Sequence, residues 1–449
     1  MEFTSFEQIV NYMEHFTNLE KKTNLYSVRT YRLDRMQALM QVLGNPQNTY
    51  KTIHVAGSKG KGSTASYLAS GLKAKGYKVG LYMSPHVTDY RERFTLCGQF
   101  VPDTLLIATG NKLQHLLEGF KFCDQLGENE PTTFELYTAF AFLLFHELGC
   151  QWAVIETGLG GRLDATNILT SEASVLTPIE LEHTEILGDT IAKIATEKSK
   201  IIKPDVMAFT SSQQPDALEV FRHEAFLQHS TLYEFDKEIK QLETLYKDGK
   251  QYAHLTFEDG FETNYCLSML GSVQAQNSAL ALLVLRKLGL YVEGETEKAF
   301  EQNKLPGRLE RINWLRPLYL DGAHTQNSMG HLLETFTEMY PQKTSEKVCI
   351  FGSVSGKNHN AMCDEILRVF DKIIVCKPGT FKKSDPQALY QLLLEKISEK
   401  AEYNNKEVYL RCDAKEALEL AKQLTQEGQP ILACGSFYLA GVIKEALEI

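Results

Sequence analysis

The chain has 449 residues, 43% of them hydrophobic and 23% charged, with a formal net charge of −10 at pH 7. That length calls for two or three domains, and the acidic balance excludes a general nucleic-acid binder, because no basic stripe is present to neutralise phosphates. No basic segment leads into an apolar run at the start, no apolar stretch reaches the roughly 18 residues of a membrane span, and nine cysteines without a C-x-x-C pair read as reduced thiols, so a cytoplasmic protein without membrane contact is expected.

Leu33, Met36, Leu39, Met40 and Leu43 recur at helical spacing and predict a helix over Arg29–Leu43, stopped by Gly44-Asn45-Pro46. A β-branched strand over 51–56, a glycine turn, a helix to about residue 75 and a strand at 78–83 make a βαβ unit. Thr133–Leu148 predicts a buried helix with a wide apolar face, and Trp152–Glu156 a buried strand running into Gly158-Leu159-Gly160-Gly161. A strand at Ala173–Pro178 and a helix at Ile191–Ile202 follow. From about 231 to 268 short alternating segments surround Asp259-Gly260, a hairpin signal, and helix returns at Gln274–Leu288. Gly289, Gly294 and Leu305-Pro306-Gly307 punctuate a charged stretch and mark a boundary near 290–308. Beyond it, strands at 318–321, 347–352, 372–376, 407–410 and 430–434 alternate with helices, the pattern of a second, smaller parallel α/β domain.

Two stretches carry chemistry. In Gly57-Ser58-Lys59-Gly60-Lys61-Gly62-Ser63 three glycines in six residues join a strand to a helix. That order lets backbone N–H groups crowd around a phosphate at a helix N-terminus, with a lysine beside it. The general pattern G-x-x-x-x-G-K-[ST] is not met, since Val55 stands at the first glycine position and Gly62 separates Lys61 from Ser63. A bare glycine turn is only a tight connection; the Gly60-Lys61-Gly62-Ser63 core at a strand-to-helix junction points to a nucleotide. The second stretch is Glu156 to Asn167, where a carboxylate ends a central strand and faces the crevice in which open α/β sheets bind ligands. Mg²⁺ on a nucleotide takes one or two hard oxygen ligands from such a position.

These stretches occur in order with Leu43-Gly44-Asn45-Pro46-Gln47, Ser84-Pro85-His86, Thr133-Phe134-Glu135, Glu182-His183-Thr184-Glu185, Leu187-Gly188-Asp189-Thr190-Ile191, Pro306-Gly307-Arg308-Leu309-Glu310, Asp321-Gly322-Ala323-His324 and Gly435-Ser436-Phe437-Tyr438-Leu439. Together they closely resemble the folylpolyglutamate synthase/dihydrofolate synthase family of the Mur ligase superfamily, from about residue 30 to the C-terminus. The resemblance implies an α/β protein of two parts. Residues 1–300 would form a P-loop ATPase-type N-terminal domain, and 301–449 a smaller Rossmann-like C-terminal domain.

The resemblance also implies roles. Gly57, Ser58, Lys59, Gly60, Lys61, Gly62 and Ser63 belong to the ATP loop, with Lys61 on the phosphates, Asn277 near the adenine, and Arg308 and Asp321 completing the site from the second domain. Ser84, Glu156 and His183 match metal ligands, implying two Mg²⁺ ions. Chemistry alone would not pick His183, because Mg²⁺ prefers oxygen. Lys198 matches a lysine carried as a carbamate, which turns a cation into a carboxylate-like ligand. His324 and Ser436 match residues that position the incoming glutamate or phosphate; with Lys61 and Lys198, His324 completes the expected catalytic set. The implied activity is ATP-dependent addition of L-glutamate to a folate-type carboxylate through an acyl phosphate, on a tetrahydrofolate, on dihydropteroate, or on both, by a monomer. The alternative is a diverged paralogue, either an amide ligase for another carboxylate or a non-catalytic nucleotide-binding protein. It is raised by departures from the family pattern: Lys59 for Asn, Glu182 for Asp, Val273 for His, Thr325 for Asn, Ser199-Lys200 for Ala-Gly, and Asn358-His359 for a Lys-Asp-type pair.

Overall fold

Apolar residues in the first half of the chain build a sheet covered on both faces. In the computed structural model, which describes residues 2–19, 31–341 and 347–448, this sheet has eight strands. They are β1 (Lys51–Ala56), β2 (Val79–Tyr82), β3 (Phe94–Leu96), β4 (Gln99–Phe100), β5 (Trp152–Glu156), β6 (Ala173–Leu176), β7 (Met207–Thr210) and β8 (Leu232–Glu234), in the order β4-β3-β2-β5-β1-β6-β7-β8. From β2 to β8 neighbours are parallel, and β3 and β4 add an antiparallel edge. Ile53, Val55 and Val154 face the helices Lys61–Ala74 and Ser272–Lys287, while Ile155 and Tyr82 face the helix Thr133–Glu147. Burial on both faces explains the nearly unbroken apolar strands. Gly71 lets the first two helices touch: a Cβ there would fall 2.2 Å from Leu285 Cδ1. That close packing carries the start of Ser272–Lys287 toward the phosphate loop.

The segment 231–268 adds a three-stranded antiparallel sheet, β9 (Ile239–Lys247), β10 (Lys250–Phe257) and β11 (Glu262–Leu267), in the order β11-β10-β9. Asp259-Gly260 joins β10 to β11 as expected. A second hairpin at Asp248-Gly249, both residues at positive φ, joins β9 to β10.

The third sheet comprises β12 (Glu310–Ile312), β13 (Leu318–Leu320), β14 (Val348–Phe351), β15 (Lys372–Val375), β16 (Glu407–Leu410) and β17 (Ile431–Cys434), in the order β12-β13-β17-β14-β15-β16. It is parallel except for β12, a three-residue edge strand that the sequence pattern did not predict. Helices Gln326–Met339, His359–Val369 and Pro386–Glu399 cover one face; Ala414–Leu424 and Phe437–Ala446 cover the other. The first expected helix spans Leu33–Val42, and residues 29 and 30 of its predicted range lie outside the described residues. Helices at Phe6–Glu14, Asp103–Leu116 and Pro215–Leu227 were not predicted.

Candidate active site

β1 lies between β5 and β6, so the loops leaving all three strands open side by side at the carboxyl edge. The loop after β1 threads a narrow path. A Cβ on Gly57 would fall 1.9 Å from Thr177 Oγ1, and one on Gly60, at φ +80°, would fall 2.5 Å from Asn277 Oδ1. Lys61, Gly62 and Ser63 open the next helix, where their N–H groups find no intrahelical carbonyl and can face an anion. Lys61 Nζ folds back to Gly57 O at 3.0 Å.

Ser58 and Lys59 are placed differently from the expected phosphate contacts. Both N–H groups donate to Pro178 O, at 2.9 and 3.1 Å, and Ser58 Oγ donates to Glu180 O at 3.0 Å. Their polar groups hold the segment after β6.

Glu156, at the end of β5, is 5% exposed and accepts a hydrogen bond from Ser84 N at 3.1 Å. Its Oε2 lies 3.4 Å from where a Cβ on Gly62 would stand, so the carboxylate abuts the start of the phosphate helix. Burial raises its pKa, opposed by Lys61, the Ser84 N–H, Arg308 and Arg93.

A second carboxylate, Glu182, has Lys59 Nζ 3.4 Å from Oε2 and Lys198 Nζ 3.3 Å from Oε1. Burial would raise its pKa, but Lys198, Lys61, Lys59 and His183 hold it well below the usual carboxylate range. Lys198, on the helix Ile191–Ser199, is 2% exposed, and its Nζ donates to Gly57 O at 2.7 Å. Burial pushes its pKa down to about 8, against the pull of Glu182. His183 stands at φ +49° before the short helix Thr184–Leu187, and burial lowers its pKa to about 4, leaving a neutral ring at pH 7.

Among the described residues no three His, Cys, Asp or Glu side chains gather as a metal cluster. Glu156 and Ser84, which both line the cavity, are hard oxygen donors that would suit one divalent cation. His183 and Lys198 do not fit a second while Lys198 is an ammonium, which donates to Gly57 and Glu182 and repels cations.

The facing wall comes from the third sheet. Asp321, just past β13, accepts from Leu309 N and Ala323 N, both at 2.7 Å, fixing the turn that carries Arg308. The Arg308 guanidinium lies 4.2 Å from the Phe437 ring centroid. His324 Nδ1 is 2.7 Å from Gly322 O, so the proton sits on Nδ1 and Nε2 presents a lone pair. Burial, with Lys59 and Lys357 nearby, holds its pKa well below 6.5. Ser436 does not reach this wall. Its Oγ donates to Gly352 O at 3.0 Å and accepts from Leu439 N at 3.1 Å, capping the helix Phe437–Ala446, and Phe437 and Tyr438 line the cavity instead.

One cavity of about 640 Å³ runs between the two walls. The phosphate loop, Glu156, Glu182, His183, Lys198, Arg308, Asp321 and His324 line it. Leu270, Gln274, Asn277, His331 and Leu332 also line it, as do Leu19, Tyr31, Phe134, Leu159 and Leu163, a largely apolar set. The apolar lining escaped sequence reasoning, although Phe134 belongs to Thr133-Phe134-Glu135, one of the motifs that carry the family resemblance. There Tyr31 Oη donates to Leu159 O at 2.7 Å.

The Mur ligase middle domain family matches residues 55–285, and the Mur ligase glutamate ligase domain family matches residues 307–437. The chain is 32% identical over 424 residues to the dihydrofolate synthase/folylpolyglutamate synthase of Bacillus subtilis, covering 93% of this chain and 95% of that protein. This chain belongs to the folylpolyglutamate synthase/dihydrofolate synthase family of Mur ligases. As a Mur ligase it is an ATP-dependent amide-bond-forming enzyme with the two-part α/β fold of that family. A Mycobacterium tuberculosis folylpolyglutamate synthase complexed with ADP superposes with a TM-score of 0.85 at 26% identity, covering 98% of this chain and 97% of that one. A folylpolyglutamate synthase complexed with AMPPCP and folate gives 0.78 at 26% identity, with full coverage of both.

Proposed function

We propose that this enzyme joins L-glutamate to a folate-type carboxylate, using ATP to activate the acceptor as an acyl phosphate. The observation that carries the reading is the continuous cavity, which sets a helix N-terminus and Lys61 beside Glu156 on one wall and His324 and Arg308 on the other. An amide cannot form directly between two ions in water. The γ-phosphoryl of ATP passes to the acceptor carboxylate, where Lys61, the first N–H groups of the helix and Arg308 offset the negative charge. The glutamate amine then attacks the acyl carbon and phosphate leaves. His324 Nε2, a neutral acceptor, suits a hydrogen bond from the incoming ammonium that orients it toward the acyl carbon. Water must be kept from the acyl phosphate, which two facing walls favour.

Mg²⁺, held by Glu156 and Ser84, would neutralise the phosphate oxygens. A carbamate on Lys198 would supply the oxygen that a second site beside His183 otherwise lacks. The polar lining with Asn277 suits the adenine, and the apolar lining with Phe134 and Leu159 suits the acceptor's ring system. Residues 1–300 and 301–449 are taken as the two working domains, in keeping with their separate sheets. A cytoplasmic monomer is part of the same proposal, in keeping with nine free thiols. No helix among the described residues is long and apolar enough to cross a membrane.

The test gives purified protein ATP, Mg²⁺ and glutamate with dihydropteroate or tetrahydrofolate in separate tubes. Mass spectrometry is expected to show one added glutamate residue, or a ladder of them, on at least one acceptor. ATP turnover without a glutamylated product on either would overturn the reading.

A further inference from the structure

Lys59 sits in the middle of the phosphate loop, where a lysine invites assignment to ATP. Its atoms point elsewhere. The segment leaving β6 runs beside the loop and is gripped at every second residue. Pro178 O accepts from Ser58 N and Lys59 N, Glu180 O accepts from Ser58 Oγ, and the Glu182 carboxylate takes Lys59 Nζ at 3.4 Å. Lys59 is the last link of this strap, and its side chain is 20% exposed. The other Glu182 oxygen faces Lys198, so the carboxylate is bridged by one ammonium from the loop and one from the helix Ile191–Ser199. The next residue is His183, held at φ +49°. Fixing both oxygens of Glu182 therefore fixes the backbone from which His183 projects and the place where Lys198 ends.

We propose that Lys59 is a positioning residue that acts through Glu182 on His183 and Lys198, and is not a ligand of the nucleotide phosphates. The proposal rests on the ligase reading above for its kinetic readout, but its binding readout needs only the folded protein and a nucleotide. Lys61 supplies the cation for the phosphates. Lys59 holds the Glu182 oxygen that Lys198 does not. Removing the Lys59 charge frees the Glu182 oxygen on the loop side and slackens the strap that carries His183, which disturbs turnover without loosening the nucleotide.

The experiment is a double-mutant cycle on the full chain with Lys59→Met, Glu182→Gln and the pair, with Lys59→Arg as the conservative rescue and Lys59→Gln as a second neutral variant should Lys59→Met misfold. ADP binding is measured by calorimetry with Mg²⁺ present, and kcat and KM for ATP are measured with the acceptor that the wild type uses. The neutral Lys59 variants are expected to bind ADP within threefold of wild type and keep KM for ATP, while kcat falls about three- to tenfold. Lys59→Arg should restore more than half of kcat, and a neutral residue at 59 should cost less than twofold in kcat once Glu182 is Gln. ADP binding weakened more than threefold in either background identifies a phosphate ligand and overturns the proposal. So do kcat losses at the two positions that simply multiply. If the wild type makes no glutamylated folate, the ligase reading fails, and the ADP arm together with a cycle on melting temperature still decides whether the pair acts as one device.

Discussion

Arg35 and Glu135 form a two-point ion pair in the interior: Nε lies 2.9 Å from Oε1 and Nη2 3.1 Å from Oε2, with the two side chains 0% and 5% exposed. The same guanidinium donates to the carbonyls of Leu126, Glu128 and Glu130 and stacks 4.2 Å from the Phe122 ring centroid, so the segment before the helix Thr133–Glu147 is folded around it. Glu135 also accepts from Thr132 N, closing a capping box where Thr132, Phe134 and Glu135 line the cavity. Breaking a buried pair by removing one partner costs about 3–5 kcal/mol, because the other charge is left uncompensated. Arg35→Ala is therefore expected to lower unfolding free energy by about that amount in urea titrations. Arg35→Lys should recover less than half, since an ammonium cannot reproduce the fork. A loss within about 0.5 kcal/mol, as at an ordinary surface site, would contradict this account.

Glu156 is expected to set the metal requirement. Glu156→Gln keeps the volume and an oxygen for the Ser84 N–H but removes the charge, so affinity for a hard cation should fall while the fold persists. The Mg²⁺ concentration for half-maximal activity should rise at least about tenfold, since one lost carboxylate ligand is worth more than about 1.4 kcal/mol. A titration with unchanged half-point and lower plateau would mean that Glu156 orders the phosphate loop and does not hold the ion.

Much of this site was readable because its signals are local. The glycine turn, the run of apolar residues ending at Glu156 and the strand at 173–176 each declare themselves within a dozen residues, and parallel strands buried on both faces leave little ambiguity. What escaped depends on distance or on weak burial. Lys59 and Glu182, both departures from the family pattern, are 123 residues apart and meet only through the fold. Ser436 was expected beside the glutamate or phosphate only because the family resemblance implied it; a serine at a loop end can also cap a helix, and here its hydroxyl does so. β9 is exposed along most of its length, so it shows no alternation from which a strand could be predicted, and the Asp248-Gly249 turn went unread beside it. β12 is too short to show a period.

His54 gives a prediction with a sign. It is fully buried on β1, with Nε2 2.8 Å from Thr166 Oγ1, whose hydroxyl donates to Asp164 Oδ1 at 2.5 Å. The proton is therefore on Nε2, and Nδ1 has no partner. Burial, with Lys203 nearby, pushes the pKa down to about 3. Because the folded value lies below the unfolded one of about 6.5, the unfolded chain takes up this proton first, and stability is lost as pH falls from about 6.5 toward 3. At pH 5 this group should cost about 2 kcal/mol relative to pH 7. Urea unfolding at the two pH values should show a drop that shrinks by about that amount in His54→Gln, even though the variant is less stable at pH 7. An identical drop in both proteins would mean that other groups govern the acid limb.

The last expectation concerns the chemical form of Lys198. A solvent-exposed lysine near pKa 10.4 is almost wholly an ammonium at neutral pH. Burial moves Lys198 to about 8, so about a tenth of it is a neutral amine at pH 7, the form that reacts with CO₂. The ammonium is tied to Gly57 O and Glu182, and carbamylation gives up both contacts. It also places an anion near Glu182, which Lys59 and Lys61 are positioned to offset. A cation beside His183 would then favour the carbamate, and the carbamate would favour the cation, so the two should appear together. Protein equilibrated with ¹³C-bicarbonate, Mg²⁺ and ADP should show a carbamate carbon signal that is absent in Lys198→Ala and weak when Mg²⁺ is removed. Lys198→Ala should be nearly inactive, with partial recovery in added short carboxylates that fill the vacated ligand position. A wild type without the signal, together with a Lys198→Ala variant of full activity, would reduce this lysine to a buried counter-ion for Glu182.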